Sequence, residues 1–442
     1  MSKKIRRKSL ATKIITSLFV GILALNHATA QQTAPAVTPD IAKNAGIAAA
    51  AAEVLTETSE IRQLPILRPV KSGAKSRADI ERMIIKNLDE ESTPDEMRVT
   101  ELTLKKLGLV PNDFQYRPFV IDLLSEQVAG YYDPKARQFY LADWIALEGQ
   151  LPVMSHELTH ALQDQNFDLL RFQKWPKGDS DAELAAHSLI EGDATLEMMQ
   201  YILRKPERMR DFMKSMGGIG ANSNEKIESA PRALRETLLF PYDQGAQFVT
   251  KLYANGGWKV VSQAFKDLPQ STEQILHPDK YFVREPPEKV SMPDVRAILG
   301  KGWTRVAYDI NGEWSYYLIL DEYIKSPDKS ERASAGWGGD RYAVYLGPGG
   351  EVIMAQMTVW DTEKDANEFY ALYVERSKRR YRNATTVEIA ASIQTPVRQA
   401  KMETSEGRVL IEQVGTRVLI LEGVPSQIDI VRLRDTIRRT VK

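Results

Sequence analysis

The chain has 442 residues, with 59 lysines and arginines against 59 aspartates and glutamates, so it carries no net charge at neutral pH. That balance argues against nucleic acid or an anionic membrane surface as partner, because both call for a basic excess. Cysteine is absent, which excludes disulfides, thiolate metal sites and a cysteine nucleophile, so any metal must be held by histidine and carboxylate.

Residues 1–30 have the pattern of a secretory signal peptide. Lys3, Lys4, Arg6, Arg7 and Lys8 form a charged start, Ile14 to Leu25 is a short apolar run, and Ala28-Thr29-Ala30 is an A-x-A cleavage site. The apolar run is too short for a comfortable transmembrane helix, and no later stretch could span a bilayer. The expectation is an exported protein, periplasmic or extracellular, whose mature chain has no membrane span. Residues 31–75, rich in Ala, Thr, Pro and Gln, read as a flexible linker with an Ala-rich helix near 46–55.

Ile80, Met83, Ile84 and Leu88 recur at helical spacing, and Met97, Leu102 and Leu107 suggest a second helix, ended by Gly108 and Pro111. Gln127 to Leu141 reads as a hairpin of two aromatic-rich strands around the turn residues Asp133 to Ala136. Pro152 then suits the first turn of the next helix. That helix carries His156-Glu157-Leu158-Thr159-His160, an H-E-x-x-H pattern. Four residues apart, the two imidazoles share a helix face and can bind one Zn²⁺. Glu157 between them can act as general base on a water that the metal activates.

Ser180 to Glu183 has the form of a capping box opening a further helix that runs toward Leu203. Glu183, His187 and Glu191 fall four apart on one stripe of it, with Asp193 close by. Gly192 is costly inside a helix, so it marks a close backbone approach, expected against the His156 helix. Phe240 to Phe248 opens a helix that stops at Gly256-Gly257, and Ser271 caps a short one ended by His277-Pro278. Arg284 to Pro293 is Pro-rich and charged, which places a boundary near residue 290. Beyond it come a helix at 312–324 and a hairpin around Gly347 to Gly350. A helix capped by Asp361-Thr362 with a basic end at Arg376 to Arg382 follows, then a strand pair at 408–412 and 416–421, and a basic final helix. The basic runs read as solvated helix ends.

The layout of His156-Glu157-x-x-His160 followed by Glu191 on the next helix resembles the gluzincin group of zinc metallopeptidases, over about residues 125–205. The resemblance implies a thermolysin-like ligand set with His156, His160 and Glu191 on Zn²⁺ and Glu157 as the catalytic base. The fuller strings His156 to Gln165 and Leu189 to Ala194 look like a group of secreted bacterial HExxH proteins, from which no further roles carry over. In the thermolysin-like pattern an aspartate four residues after the glutamate ligand orients the first histidine. Here that position is Thr195, so Asp164 and Asp193 are the candidates for fixing the imidazoles. Tyr131, Tyr132, Tyr242 and His277 are candidates for the transition-state donor.

The expectation is an α+β protein. A mainly helical zincin-like domain at 76–290 has a β-hairpin before its HExxH helix, and a smaller α+β module without the metal follows at 291–442. Its expected work is hydrolysis of a peptide or protein substrate. The alternative is a non-catalytic envelope binding protein with structural or absent zinc. His-His-Glu leaves a fourth coordination position open, which favours catalysis, since structural sites are closed by four protein ligands.

Overall fold

The computed structural model describes residues 41–127, 129–144, 147–175, 178–217, 225–390 and 397–440. The expected signal peptide and the first part of the expected linker lie outside these residues. The fold class is α+β: a helical region carrying a three-stranded sheet, followed by a seven-stranded antiparallel sheet with its own helices. No helix among the described residues is long and apolar enough to cross a membrane.

Much of the stretch expected to be linker is ordered. Helix α1 (Ile41–Arg62) buries Ile47, Ala51, Val54, Leu55, Thr58 and Ile61 at three- and four-residue intervals. Strand β1 (Lys71–Lys75) pairs parallel to a later strand. Helices α2 (Arg77–Glu91), α3 (Pro94–Leu107) and α4 (Tyr116–Gln127) follow. Thr93 and Glu96 form a capping box for α3, and Gly108 ends it in the left-handed region at φ 72°. Strands β2 (Gly130–Asp133) and β3 (Gln138–Ala142) form the expected hairpin. The order β1-β3-β2 leaves β2 at the edge.

Helix α5 (Leu147–Phe167) carries the HExxH pattern and starts earlier than Pro152 suggested, so that Pro152 lies inside it. A 3-10 segment, Leu169–Lys174, follows it. In helix α6 (Ser180–Leu203) the cap is Asp179, whose side chain accepts the Ala182 N–H. Ser180 does not complete a capping box, because its hydroxyl is drawn to Asp309 at 2.6 Å. After α7 (Pro206–Gly217) comes α8 (Arg232–Ala254), which begins eight residues before Phe240 and holds Pro241 inside it. The stop at Gly256 is as expected, and α9 (Gly257–Ala264) follows.

The close approach marked by Gly192 is made against α8, not against the HExxH helix. A β-carbon on Gly192 would stand 2.2 Å from the Gly245 carbonyl oxygen, and one on Gly245 would stand 2.3 Å from the Ser188 carbonyl oxygen. Helices α6 and α8 therefore cross backbone to backbone, which only paired glycines permit.

Downstream lie β4 (Thr304–Asp309), α10 (Gly312–Ile324), α11 (Pro327–Ser334), β5 (Trp337–Leu346) and β6 (Val352–Trp360). They are followed by α12 (Glu363–Arg380), β7 (Thr385–Ile389), β8 (Arg398–Thr404), β9 (Gly407–Val414), β10 (Arg417–Val424) and α13 (Ile430–Thr440). The strand order is β4-β5-β6-β10-β9-β8-β7. Both faces of the sheet are covered at its centre, while β7 at its edge is largely exposed. On β10, Val418 and Ile420 join the larger apolar core, while Leu419 and Leu421 join a smaller one with Leu433 and Ile437 of α13.

The apolar core does not stop at the expected boundary near residue 290, because one continuous cluster holds both Leu158 and Ile420. Buried polar ties cross the same junction. Asp309 accepts from the Ser180 N–H, Asp321 accepts from Arg232, and the Thr272 hydroxyl, which donates to Asp181, accepts the Trp314 N–H. Nor are all the basic helix ends solvated. Arg376 is fully buried on Glu422 and the Leu107 carbonyl, and Arg380 reaches the Lys105 and Lys106 carbonyls that end α3.

The crossing of α6 and α8 yields a contrast between two glycines. Gly192→Ala must separate two backbones, and urea denaturation is expected to show a loss at or above the upper end of the roughly 1–3 kcal/mol typical of overpacking. Gly46→Ala in α1, where a β-carbon meets nothing within 4 Å, is expected to gain about 0.5–1 kcal/mol.

Candidate metal centre

Among the described residues, His156, His160 and Glu191 converge in a buried group. His156 Nε2 lies 3.2 Å from His160 Nε2 and 3.2 Å from Glu191 Oε2, and His160 Nε2 lies 3.4 Å from the same carboxylate oxygen. A tetrahedral ion bonded at about 2.0–2.1 Å to each of three ligands holds them about 3.3–3.4 Å apart. The triangle already has those edges, so these residues fit a zinc ion. A second acidic group, Glu273, Glu285 and Asp361, is already gathered on the Lys280 ammonium.

The electrostatics match a site that shares positive charge. Burial works against a charge on His160, but the Glu191 carboxylate beside it offsets this and its pKa is raised to about 9. Burial also pushes Glu191 upward, yet the two imidazoles hold it well below the usual carboxylate range. His156 is lowered by burial despite its contact with Glu191. A metal ion at the triangle therefore competes with one proton.

Glu157 sits in the same buried layer, and its Oε2 accepts the Tyr132 N–H at 2.8 Å. This bond ties the carboxylate to the edge strand β2. His187 is buried, which lowers its pKa to about 4, and it does not join the ligand triangle. Glu183, on the same stripe, is also outside it.

Of the two aspartates expected to fix the imidazoles, neither bonds a histidine directly. Asp164 is taken by Arg68, the Tyr132 hydroxyl and the Leu169 N–H. Asp193 acts at one remove: it accepts from Gln163 Nε2 at 2.8 Å, and Gln163 Oε1 lies 2.8 Å from His160 Nδ1. Gln163 was not singled out from the sequence, although it stands only three residues after His160. Glu197 was also missed. It is fully buried behind the helix, receives the Ser155 and Thr159 hydroxyls, and is pushed by burial up to about 8.

The four donor candidates have different surroundings. Tyr131 stacks on Tyr140, the Tyr132 hydroxyl goes to Asp164, and His277 pairs with Glu313 at 2.8 Å. Tyr242 stacks on His156, the ring centroids 6.1 Å apart at 28°. It lies three residues before Gly245, so the glycine crossing of α6 and α8 is what brings it there.

Metal content tests Glu191 as the third ligand against His187, one turn earlier on the same helix stripe. Glu191→Ala is expected to purify without zinc and His187→Ala to retain it. The opposite pattern would reassign the ligand, and loss in both would indicate a closed site of four protein ligands.

A domain family described as "Domain of unknown function (DUF8575)" matches residues 299–434, which is the seven-stranded sheet with its helices and does not include the ligand triangle. No curated protein and no solved structure matches the chain.

Proposed function

We propose that this protein is an exported zinc metallopeptidase that hydrolyses peptide bonds with Glu157 as general base. The observation that carries this reading is the His156–His160–Glu191 triangle, with its zinc-sized edges and Glu157 one residue from a ligand. Three protein ligands leave one coordination position open, as catalytic zinc requires. The hairpin before the HExxH helix and the crossing helix that brings Glu191 support a zincin-like architecture for the helical region. The export reading rests on the charged start, the apolar run and the A-x-A site of residues 1–30.

Bound zinc would supply a Lewis acid that polarises a carbonyl and makes water acidic near neutral pH. Glu157 takes a proton from the attacking water as it adds to the scissile carbonyl carbon, then passes that proton to the departing amine as the C–N bond breaks. Its bond to the Tyr132 N–H aims the carboxylate. Strand β2 lies at a sheet edge, the type of element with which an extended peptide substrate can pair. Tyr242, half-buried against His156, is the best placed of the four candidates to donate to the developing oxyanion.

Glu157→Gln keeps the shape of the side chain and all three ligands. It is expected to retain stoichiometric zinc while hydrolysis of a general protein substrate falls by a factor of about 10² or more. Chelation of the wild type should abolish the same activity. Full activity in the variant would exclude the mechanism. Zinc retention in a wild type that cleaves nothing would instead favour an envelope binding protein.

A further inference from the structure

We infer that Arg62, on a helix nearly a hundred residues before the HExxH pattern, is a positioning residue that fixes which nitrogen of His160 carries its proton. This rests on reading His156, His160 and Glu191 as a metal site, and the experiment below separates the two.

Arg62 is fully buried at the end of α1. Its Nε donates to Asp193 Oδ1 at 2.5 Å, its Nη1 to Ser262 Oγ at 3.1 Å, and its guanidinium lies 4.5 Å over the Trp258 ring. Arginine only donates, so Asp193 Oδ1 accepts and the side chain is pinned in place. The other Asp193 oxygen accepts from Gln163 Nε2 at 2.8 Å, and the Ile190 carbonyl accepts from the same nitrogen at 3.0 Å. Both partners of that nitrogen are pure acceptors, so the Gln163 amide has one orientation. Its oxygen must then face His160 Nδ1, 2.8 Å away. A carbonyl oxygen can only accept, so Nδ1 always carries a hydrogen, and Nε2 is the nitrogen left facing His156 and Glu191, where a metal ion can replace the shared proton. Each step removes one choice: guanidinium, carboxylate, amide, imidazole. The metal-facing nitrogen of His160 is thus set by a cation on α1.

The test uses the full chain and its ability to exchange partners. In Asp193→Asn, Arg62 draws the carbonyl oxygen of the introduced amide, which turns the amide nitrogen, a donor, onto the Gln163 donor. That contact dislodges Gln163, and His160 Nδ1–H loses its acceptor. Removing the arginine as well frees the introduced amide to present its oxygen to Gln163. The expected result is a zinc affinity about 10–100-fold weaker in Asp193→Asn, measured by chelator competition, and substantially regained in Arg62→Met/Asp193→Asn.

Nitrogen-15 NMR gives a second readout that does not need zinc. A slowly exchanging Nδ1–H of His160 is expected in the wild type and the double variant, and is lost in Asp193→Asn. Should Asp193→Asn fail to fold, Gln163→Met leaves the Arg62–Asp193 pair intact and must show the same loss of the slow Nδ1–H and of zinc affinity. A bare Nδ1 in the wild type, or wild-type zinc affinity in Asp193→Asn or Gln163→Met, would overturn the inference, as would a double variant no better than the single. If the NMR pattern holds but the wild type binds no zinc, the metal reading falls and the positioning chain stands.

Discussion

Two imidazole nitrogens and a carboxylate oxygen cannot stay within 3.4 Å of one another in a dry interior without a shared positive charge. Their lone pairs repel, and burial removes the water that would screen them. A proton on His160 relieves this in part, which is why Glu191 sits so far below its ordinary pKa. A divalent cation satisfies all three atoms together. The surroundings are built to keep these atoms converged rather than let them turn apart to other partners.

That confinement comes from four directions. Helix α5 sets His156 and His160 a turn apart on one face. Helix α6 brings Glu191 against them, and the glycine crossing with α8 fixes its height while placing Tyr242 on His156. Helix α1 supplies Arg62 and packs Thr58 on Ser155 behind the ligand helix. The first turn of α6 is tied to the downstream half through Asp309, and through Asp181 by way of the Thr272 hydroxyl, which accepts the Trp314 N–H. The region matched by the domain family therefore meets the ligand-bearing helix at its start. It contributes no residue to the triangle.

The parts legible in the sequence are those whose signal is local. The i, i+4 histidines, the Gly347 hairpin, the Thr362 cap and the α6 stripe all depend on spacings of a few residues. The parts that were hidden depend on partners far away. Strand β1, Lys-Ser-Gly-Ala-Lys, has no apolar alternation and exists as a strand because it pairs with β3. The α1 stretch looks like linker by composition except for the Ala-rich helix expected at 46–55, which the structure extends to 41–62, and its buried face shows only in the folded chain. Gly192 was recognised as a close approach, but one chain cannot reveal which helix approaches, since Gly245 lies 53 positions on. Arg62 is 131 residues from Asp193, and nothing near either one announces the pair. Asp193 does serve His160, but through the amide of Gln163.

The central claim is a three-ligand metal centre with one position open. X-ray absorption at the zinc edge of the purified, zinc-loaded protein tests it most directly, supported by anomalous scattering from crystals. The account predicts one ion per chain bound by two imidazole nitrogens at about 2.0–2.1 Å and one carboxylate oxygen at about 2.0–2.2 Å, the fourth position held by solvent. A fourth protein ligand, or no stoichiometric metal at His156, His160 and Glu191, would contradict it.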